Sequence, residues 1–248
     1  MNTGVLVVAA ALWGAAAGAL LPRAAYRFSA PSGEPWRERC PGGHALKGWL
    51  GRAFCPECAK GAERDEAGYG QRATPLVIAT ALVCAALAAV TGTRPELGVW
   101  LLLAPVGVLL TAVDFRVRRL PDPLTLPFAA AALALLGLTA LVPEHAGEWT
   151  TALLGSLALG GGYFVLFLIN PAGMGFGDVK LALGAGAVLG WYGWPTVMLG
   201  TFAGFLLGAL YGGALVVARR AGRKTAIPFG PFLISGALLG LLAGAFAA

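Results

Sequence analysis

Three carboxylates in this chain stand where a carboxylate is expensive. Of its twelve Asp and Glu residues, six fall in the polar segment 23–73 (Glu34, Glu38, Glu57, Glu63, Asp65, Glu66) and three in connections expected on the opposite side (Glu96, Glu144, Glu148). The other three, Asp114, Asp122 and Asp178, sit at the ends of long apolar runs. Ionisable groups at membrane depth are costly and are functional candidates by default. Two such acids brought together can do what one cannot. Like charges in a poorly solvated site do not both ionise easily, so one carboxyl holds a proton while the other stays anionic. The anion can take a proton from water and the acid can polarise a carbonyl, which is chemistry able to hydrolyse a peptide bond without a metal or a covalent intermediate.

Local sequence separates the three acids. Asp114 ends the apolar run "LLTAVD" and is expected to face the protein interior. Asp122 lies between two prolines in "LPDPLT" and reads as a helix N-cap. Asp178 lies in "GMGFGDVK", where Gly173, Gly175 and Gly177 predict an irregular backbone that another chain could approach closely. An acid at a helix N-terminus is also favoured by the dipole, but capping alone would not call for the glycines. Asp114 and Asp178 are expected at one membrane depth on one side.

A second constellation is C-x3-H-x10-C-x2-C, formed by Cys40, His44, Cys55 and Cys58. Three thiolates and an imidazole satisfy a tetrahedral zinc, and such a site could fold a segment too poor in apolar residues for a core of its own. Reduced cysteines without a metal, or a redox CxxC, are the alternatives. Cys84, inside an apolar span, reads as a small core residue.

The elements that must position these groups are membrane helices. The chain has 248 residues, 58% hydrophobic and 12% charged, with 37 glycines and a mean hydropathy of +0.75. That is far more apolar than a soluble domain of its size. Stretches about 5–22, 74–92, 97–113, 123–142, 151–169, 179–198, 199–218 and 228–248 each approach the ~20 residues that span a bilayer. The uncharged run 179–218 is divided around "WYGWP". Seventeen of the eighteen Lys and Arg then fall on one side and only Arg94 on the other, so the positive-inside rule places both termini outside. The fold class expected is an all-α polytopic membrane protein with about eight transmembrane helices and a small cytosolic Cys/His loop domain. Residues 1–22 would be the first helix, 23–73 the loop domain and 74–248 a seven-helix membrane domain. "MNTG" lacks the basic start of a cleaved signal, so the first helix is expected to be retained. The net charge of +6 is explained by topology and calls for no nucleic-acid partner.

These residues resemble a known family. "GFGDVK" resembles the GxGD signature of intramembrane aspartic proteases. "DFRVRRLPDPLTLP", residues 114–127, resembles the other half of the site in type IV prepilin leader peptidases, where an aspartate ends one helix and a "(I/L)P(D/N)xLT" turn starts the next. "IPFGPFL", residues 227–233, and the cysteine-bearing loop after the first helix are similar again. The resemblance implies an endopeptidase of the bacterial inner membrane that removes the short basic leader of prepilins or pseudopilins at the cytosolic face. It puts Asp114 and Asp178 at the catalytic positions, Gly175 and Gly177 at the family's glycines, and Lys180 at the basic position two after the acid. For Lys180, snorkelling to the interface competes with a substrate role. Arg116, Arg118 and Arg119 read as topology anchors. No cofactor is implied for proteolysis.

Two departures stand out. Gly43 stands where a second cysteine of the first pair is often found, with His44 beside it, and the first helix matches the family only loosely. Many members also methylate the new N-terminus from S-adenosylmethionine, so methylation is carried as a hypothesis. The rival of another class is a proton-coupled transporter, since intramembrane aspartates also serve proton relays. Against it, no acid lies in the middle of a span. An inert scaffold would leave the glycines and the matched depth of the acids unexplained. Glycine-rich stretches such as "LGGGYF" and "YGGA" are read as close helix packing.

Overall fold

The computed structural model describes residues 2–60, 67–171, 173–219 and 227–248. Glu63, Arg64, Asp65, Glu66, Arg220, Arg223 and Lys224, which entered the charge counts above, lie outside the described residues. Among the described residues eight α-helices follow one another: α1 (Thr3–Phe28), α2 (Ala73–Thr91), α3 (Glu96–Val117), α4 (Asp122–Thr139), α5 (Trp149–Ile169), α6 (Phe176–Gly190), α7 (Trp194–Val217) and α8 (Gly230–Ala247). Among the described residues there is no strand, only the isolated bridges Arg39 to Ala45 and Phe54 to Gly68.

Seven of the helices are long and apolar enough to cross a membrane. The exception is α6. Its fifteen residues give about 22 Å at 1.5 Å per residue, short of a ~30 Å hydrocarbon core. The expected span 179–198 is therefore corrected: the helix begins three residues earlier and stops at Gly190. Gly193, at φ 92°, turns the chain, and Pro195 opens α7 in the first helical positions, where a missing N–H costs nothing. A helix so short survives because it sits in the centre. Eleven of its fifteen residues are buried, and it packs on α4, α5, α7 and α8.

Three helix pairs, α1 with α2, α5 with α6 and α7 with α8, make the most extensive contacts, and each is drawn together by bare backbone. A Cβ on Gly18 would lie 2.8 Å from the Leu76 carbonyl oxygen, one on Gly155 2.6 Å from that of Gly186, and one on Gly204 3.1 Å from that of Phe232. Close approach of this kind replaces the hydrophobic drive that lipid cannot supply. Of the stretches read as packing glycines, Gly160 meets Leu183 and Gly212 meets Ile227, but Gly161, Gly162 and Gly213 face open space.

At the end of the bundle where α3 begins, Glu96 is fully buried, unlike the water-facing acid its position in a connection suggested. Its Oε1 accepts from the Tyr192 hydroxyl at 3.2 Å and the Ala146 N–H at 3.4 Å, and Arg94 Nε lies 3.9 Å away. One carboxylate thus ties the start of α3 to the α4–α5 and α6–α7 turns.

Candidate active site and metal centre

The end of α3 is set by Arg118, which adopts a left-handed conformation at φ 51° and donates its N–H to the Asp114 carbonyl at 2.8 Å. That residue stops the helix and turns the chain back toward α4. Asp114 is left one turn from the helix end with 4% of its surface exposed. Asp178 occupies the first turn of α6, 7% exposed, and its Oδ2 accepts the Gly175 N–H at 3.1 Å. Asp178 therefore caps its own helix while remaining buried.

Leu120 is the neighbour common to two glycines, one beside each acid. A Cβ on Gly177 would stand 2.9 Å from the Leu120 Cβ. One on Gly230 would stand 3.2 Å from Leu120 Cδ1 and 2.7 Å from Asp114 Oδ2. Two bare-backbone approaches thus let the α3–α4 connection, the start of α6 and the start of α8 converge, and the Asp114 charge acts on Asp178. The helices themselves stay apart, with no Cα atoms of α3 and α6 within 8 Å of each other. An apolar cavity of about 290 Å³ opens between them. It reaches Thr111, one turn before Asp114, and Leu181, about one turn after Asp178.

The other expected site residues fall as follows. Gly177 lies inside the first turn of α6, so only the stretch up to Gly175 is non-helical there. Gly175 has φ −75°, an ordinary extended conformation. Lys180 Nζ pairs with Asp122 Oδ2 at 2.7 Å and lies 4.9 Å from the Phe176 ring centroid, bridging α6 to α4. Asp122 is the first residue of α4 rather than its N-cap, which is Pro121.

Two residues of this region were given no site role from the sequence. Gly230 stands against Asp114; the resemblance of "IPFGPFL" marked its segment but not the glycine itself. Arg119, read as a topology anchor, donates from Nη1 to the carbonyls of Pro31 at 2.8 Å and Glu34 at 3.1 Å and stacks 4.0 Å over the Trp36 ring. The segment after α1 thereby grips the connection that carries Leu120.

Cys40, His44, Cys55 and Cys58 come together, their donor atoms all within 4.8 Å of one another. Cys40 Sγ lies 3.6 Å from Cys58 Sγ, and His44 Nδ1 lies 3.6, 3.7 and 3.3 Å from the sulfurs of Cys40, Cys55 and Cys58. Ligands at ~2.3 Å around a tetrahedral zinc stand roughly 3.8 Å apart, so the donor set fits that ion. The first knuckle runs Cys40 to His44, with Gly43 N–H donating to the Cys40 carbonyl and Cys40 N–H to that of His44, both at 2.9 Å. Gly43 has φ 82°, a conformation that a cysteine at this place would adopt only under strain. Cys55 is buried, and the Cys58 N–H beside its sulfur brings its thiol down to about 7, toward the thiolate a metal needs. Cys84 is fully buried among apolar side chains, as expected.

Residues 101–213 match the type IV leader peptidase family. A prepilin leader peptidase/N-methyltransferase of Pseudomonas aeruginosa is 32% identical over 216 residues, covering 83% of this chain and 70% of that protein. The chain belongs to the type IV leader peptidase family. Proteins of the same name from Aeromonas salmonicida, 38% identical over 152 residues, and Escherichia coli, 32% identical over 142 residues, match 58% and 53% of the chain. The matched region spans about half the length of the Aeromonas relative, 48% of it. No solved structure matches. Family and helices together make the chain a multi-pass membrane protein.

Proposed function

We propose that this protein is a membrane aspartic endopeptidase that removes the short basic leader of prepilins or pseudopilins, with Asp114 and Asp178 as its catalytic pair. The observation that supports the reading is a pair of buried carboxylates, from helices far apart in sequence, each beside one of the two glycines that close on Leu120, Gly230 next to Asp114 and Gly177 next to Asp178. A water held between the pair loses a proton to the ionised carboxyl as its oxygen adds to the scissile carbonyl. The protonated carboxyl polarises that carbonyl and then supplies a proton to the leaving amine. The scissile bond must be extended to be reached, and the non-helical backbone up to Gly175 offers it a place to lie. The cavity between α3 and α6 suits the apolar chain that follows. The leader's basic residues would remain at the cytosolic face of the bacterial inner membrane, the side to which the positive-inside count assigns the acids. On this reading residues 23–73 form a cytosolic unit whose Cys40, His44, Cys55 and Cys58 hold a structural zinc, and residues 74–248 carry the chemistry.

The test is cleavage of a co-expressed prepilin, read as a gel shift at equal membrane levels of enzyme. Asp114→Asn and Asp178→Asn should abolish it and Asp122→Asn should retain it. Cleavage by either of the first two would remove the assigned pair. N-methylation is a second reading, favoured by the relatives' name. Labelled S-adenosylmethionine decides it, because unlabelled cleaved pilin would end it. A transporter finds no support in the family match.

A further inference from the structure

The site contains a third polar group that the peptidase reading does not use. Tyr163 projects from α5 and is 2% exposed. Its ring packs in the same cluster as Leu120, Val179 and Ala182, with ring centroids 5.8 Å from Phe205 and 5.9 Å from Phe229, the residue before Gly230. Among the described residues the buried hydroxyl has no hydrogen-bond partner, and neither does Asp114 Oδ2. It lies close enough to feel the charge of Asp178 but does not bond to it, while Asp178 Oδ2 accepts the Gly175 N–H.

A phenylalanine would fill this aromatic pocket without the cost of burying an unpaired hydroxyl. The O–H therefore has a use only when something enters between it and the acids. We infer that Tyr163 is a third catalytic residue, its hydroxyl donating a hydrogen bond to the scissile carbonyl oxygen as water adds and negative charge develops there. The inference rests on the peptidase reading. The phenol keeps its proton throughout. The oxyanion forms by addition of the water oxygen, its proton having gone to the ionised carboxyl, and collapses as the C–N bond breaks and the amine takes a proton from the other. A donor fixed in a dry site is in place before the charge appears, which is where such donors accelerate most.

The test is Tyr163→Phe in the full-length enzyme, with purified prepilin as substrate. The ring and its stacking on Phe205 and Phe229 remain, so enzyme level and melting temperature should be unchanged. kcat should fall at least tenfold with KM within about twofold, as for loss of an interaction made only in the transition state. A kcat within twofold of wild type, or a fall matched by a lower melting temperature, overturns the inference. Asp178→Asn, run alongside, separates the two failures. If wild type cuts, Asp178→Asn does not and Tyr163→Phe cuts normally, only the tyrosine role is lost. If wild type cuts nothing, or Asp178→Asn still cuts, the peptidase reading and the inference fall together.

Discussion

The sharpest perturbation of the pair leaves both aspartates in place. A Cβ added at Gly230 would stand 2.7 Å from Asp114 Oδ2, about 0.7 Å inside the 3.4 Å at which ordinary contact begins. The obstructed atom is the end of a flexible side chain, so the carboxylate yields and the backbone does not. Stability should barely change. Alanine gains up to about 1 kcal/mol over glycine in a helix, but Gly230 precedes Pro231, where a side chain in the helical region is disfavoured and offsets part of that gain. Activity should change greatly, because a displacement approaching 1 Å at a reacting group costs roughly a hundredfold. Gly230→Ala is therefore expected to lower kcat by roughly 10- to 100-fold with a melting temperature within a few degrees of wild type. Gly161→Ala, at a helical position facing open space, should cut at the wild-type rate and serves as control. The assay is the initial rate of prepilin cleavage by purified enzyme, with thermal unfolding of the same samples. Full activity in a folded Gly230→Ala protein would refute the placement of Asp114 in the chemistry, and an equal loss in Gly161→Ala would show that the effect is not local.

Three further outcomes follow from the same contacts. Purified protein should carry about one zinc per chain by elemental analysis, and Cys40→Ser or His44→Ala should release it and open the segment between α1 and α2 to protease. Unchanged metal content would leave the four donors without their assigned role. Arg119→Ala should slow cleavage several-fold and Arg119→Lys should rescue little, because a planar guanidinium serves two carbonyls and a Trp face together. Exposed Arg116→Ala should be neutral in the same cleavage assay. At the opposite end, Glu96→Gln keeps an acceptor for Tyr192 and Ala146 and should melt near wild type. Glu96→Leu strands both donors and should cost about 2 kcal/mol or more, read as a lower melting temperature.

Much of this was legible in the sequence, for reasons that differ by element. Hydropathy alone located the helices because each lipid-facing segment must be apolar along its whole length. It misplaced the ends of α6, because a central helix obeys its neighbours rather than the bilayer, and the turn at Gly193 depends on a single positive φ. The four metal-type donors could be grouped from spacing, since two knuckles need few residues each. The acids could be singled out because a carboxylate at depth is rare, but their meeting spans 64 positions and no local pattern encodes it. Leu120 and Gly230 lie in the stretches that resemble the family, and Tyr163 in "LGGGYF", yet none was singled out as a site residue. Each is an ordinary apolar, small or aromatic residue whose importance comes only from what folds against it. Lys180 was ambiguous between snorkelling and substrate, and its pairing with Asp122 is a third outcome that required α4 and α6 to be neighbours.

The shortness of α6 bears on how the pair can work. Both helices are anchored at the same end of the bundle, α3 through Glu96 and α6 through the turn whose Tyr192 bonds to it. From there Asp114 lies about 27 Å along α3, but Asp178 only about 18 Å before the end of α6. At about 22 Å against about 33 Å for α3, α6 is too short to span, and Asp178 stands buried in its first turn, so the chain that leads into α6 ends beside a carboxylate shielded from water. A substrate segment that follows this approach leaves bulk water before it meets the carboxylates. In that recess, hydrogen bonds from a carboxyl or a tyrosine hydroxyl to a developing oxyanion meet little competition from solvent. Gly177 is then needed less for its own flexibility than for the room it leaves beside Leu120, whereas a Cβ at Gly175 would meet Asp178 and one at Gly173 would meet Asn170.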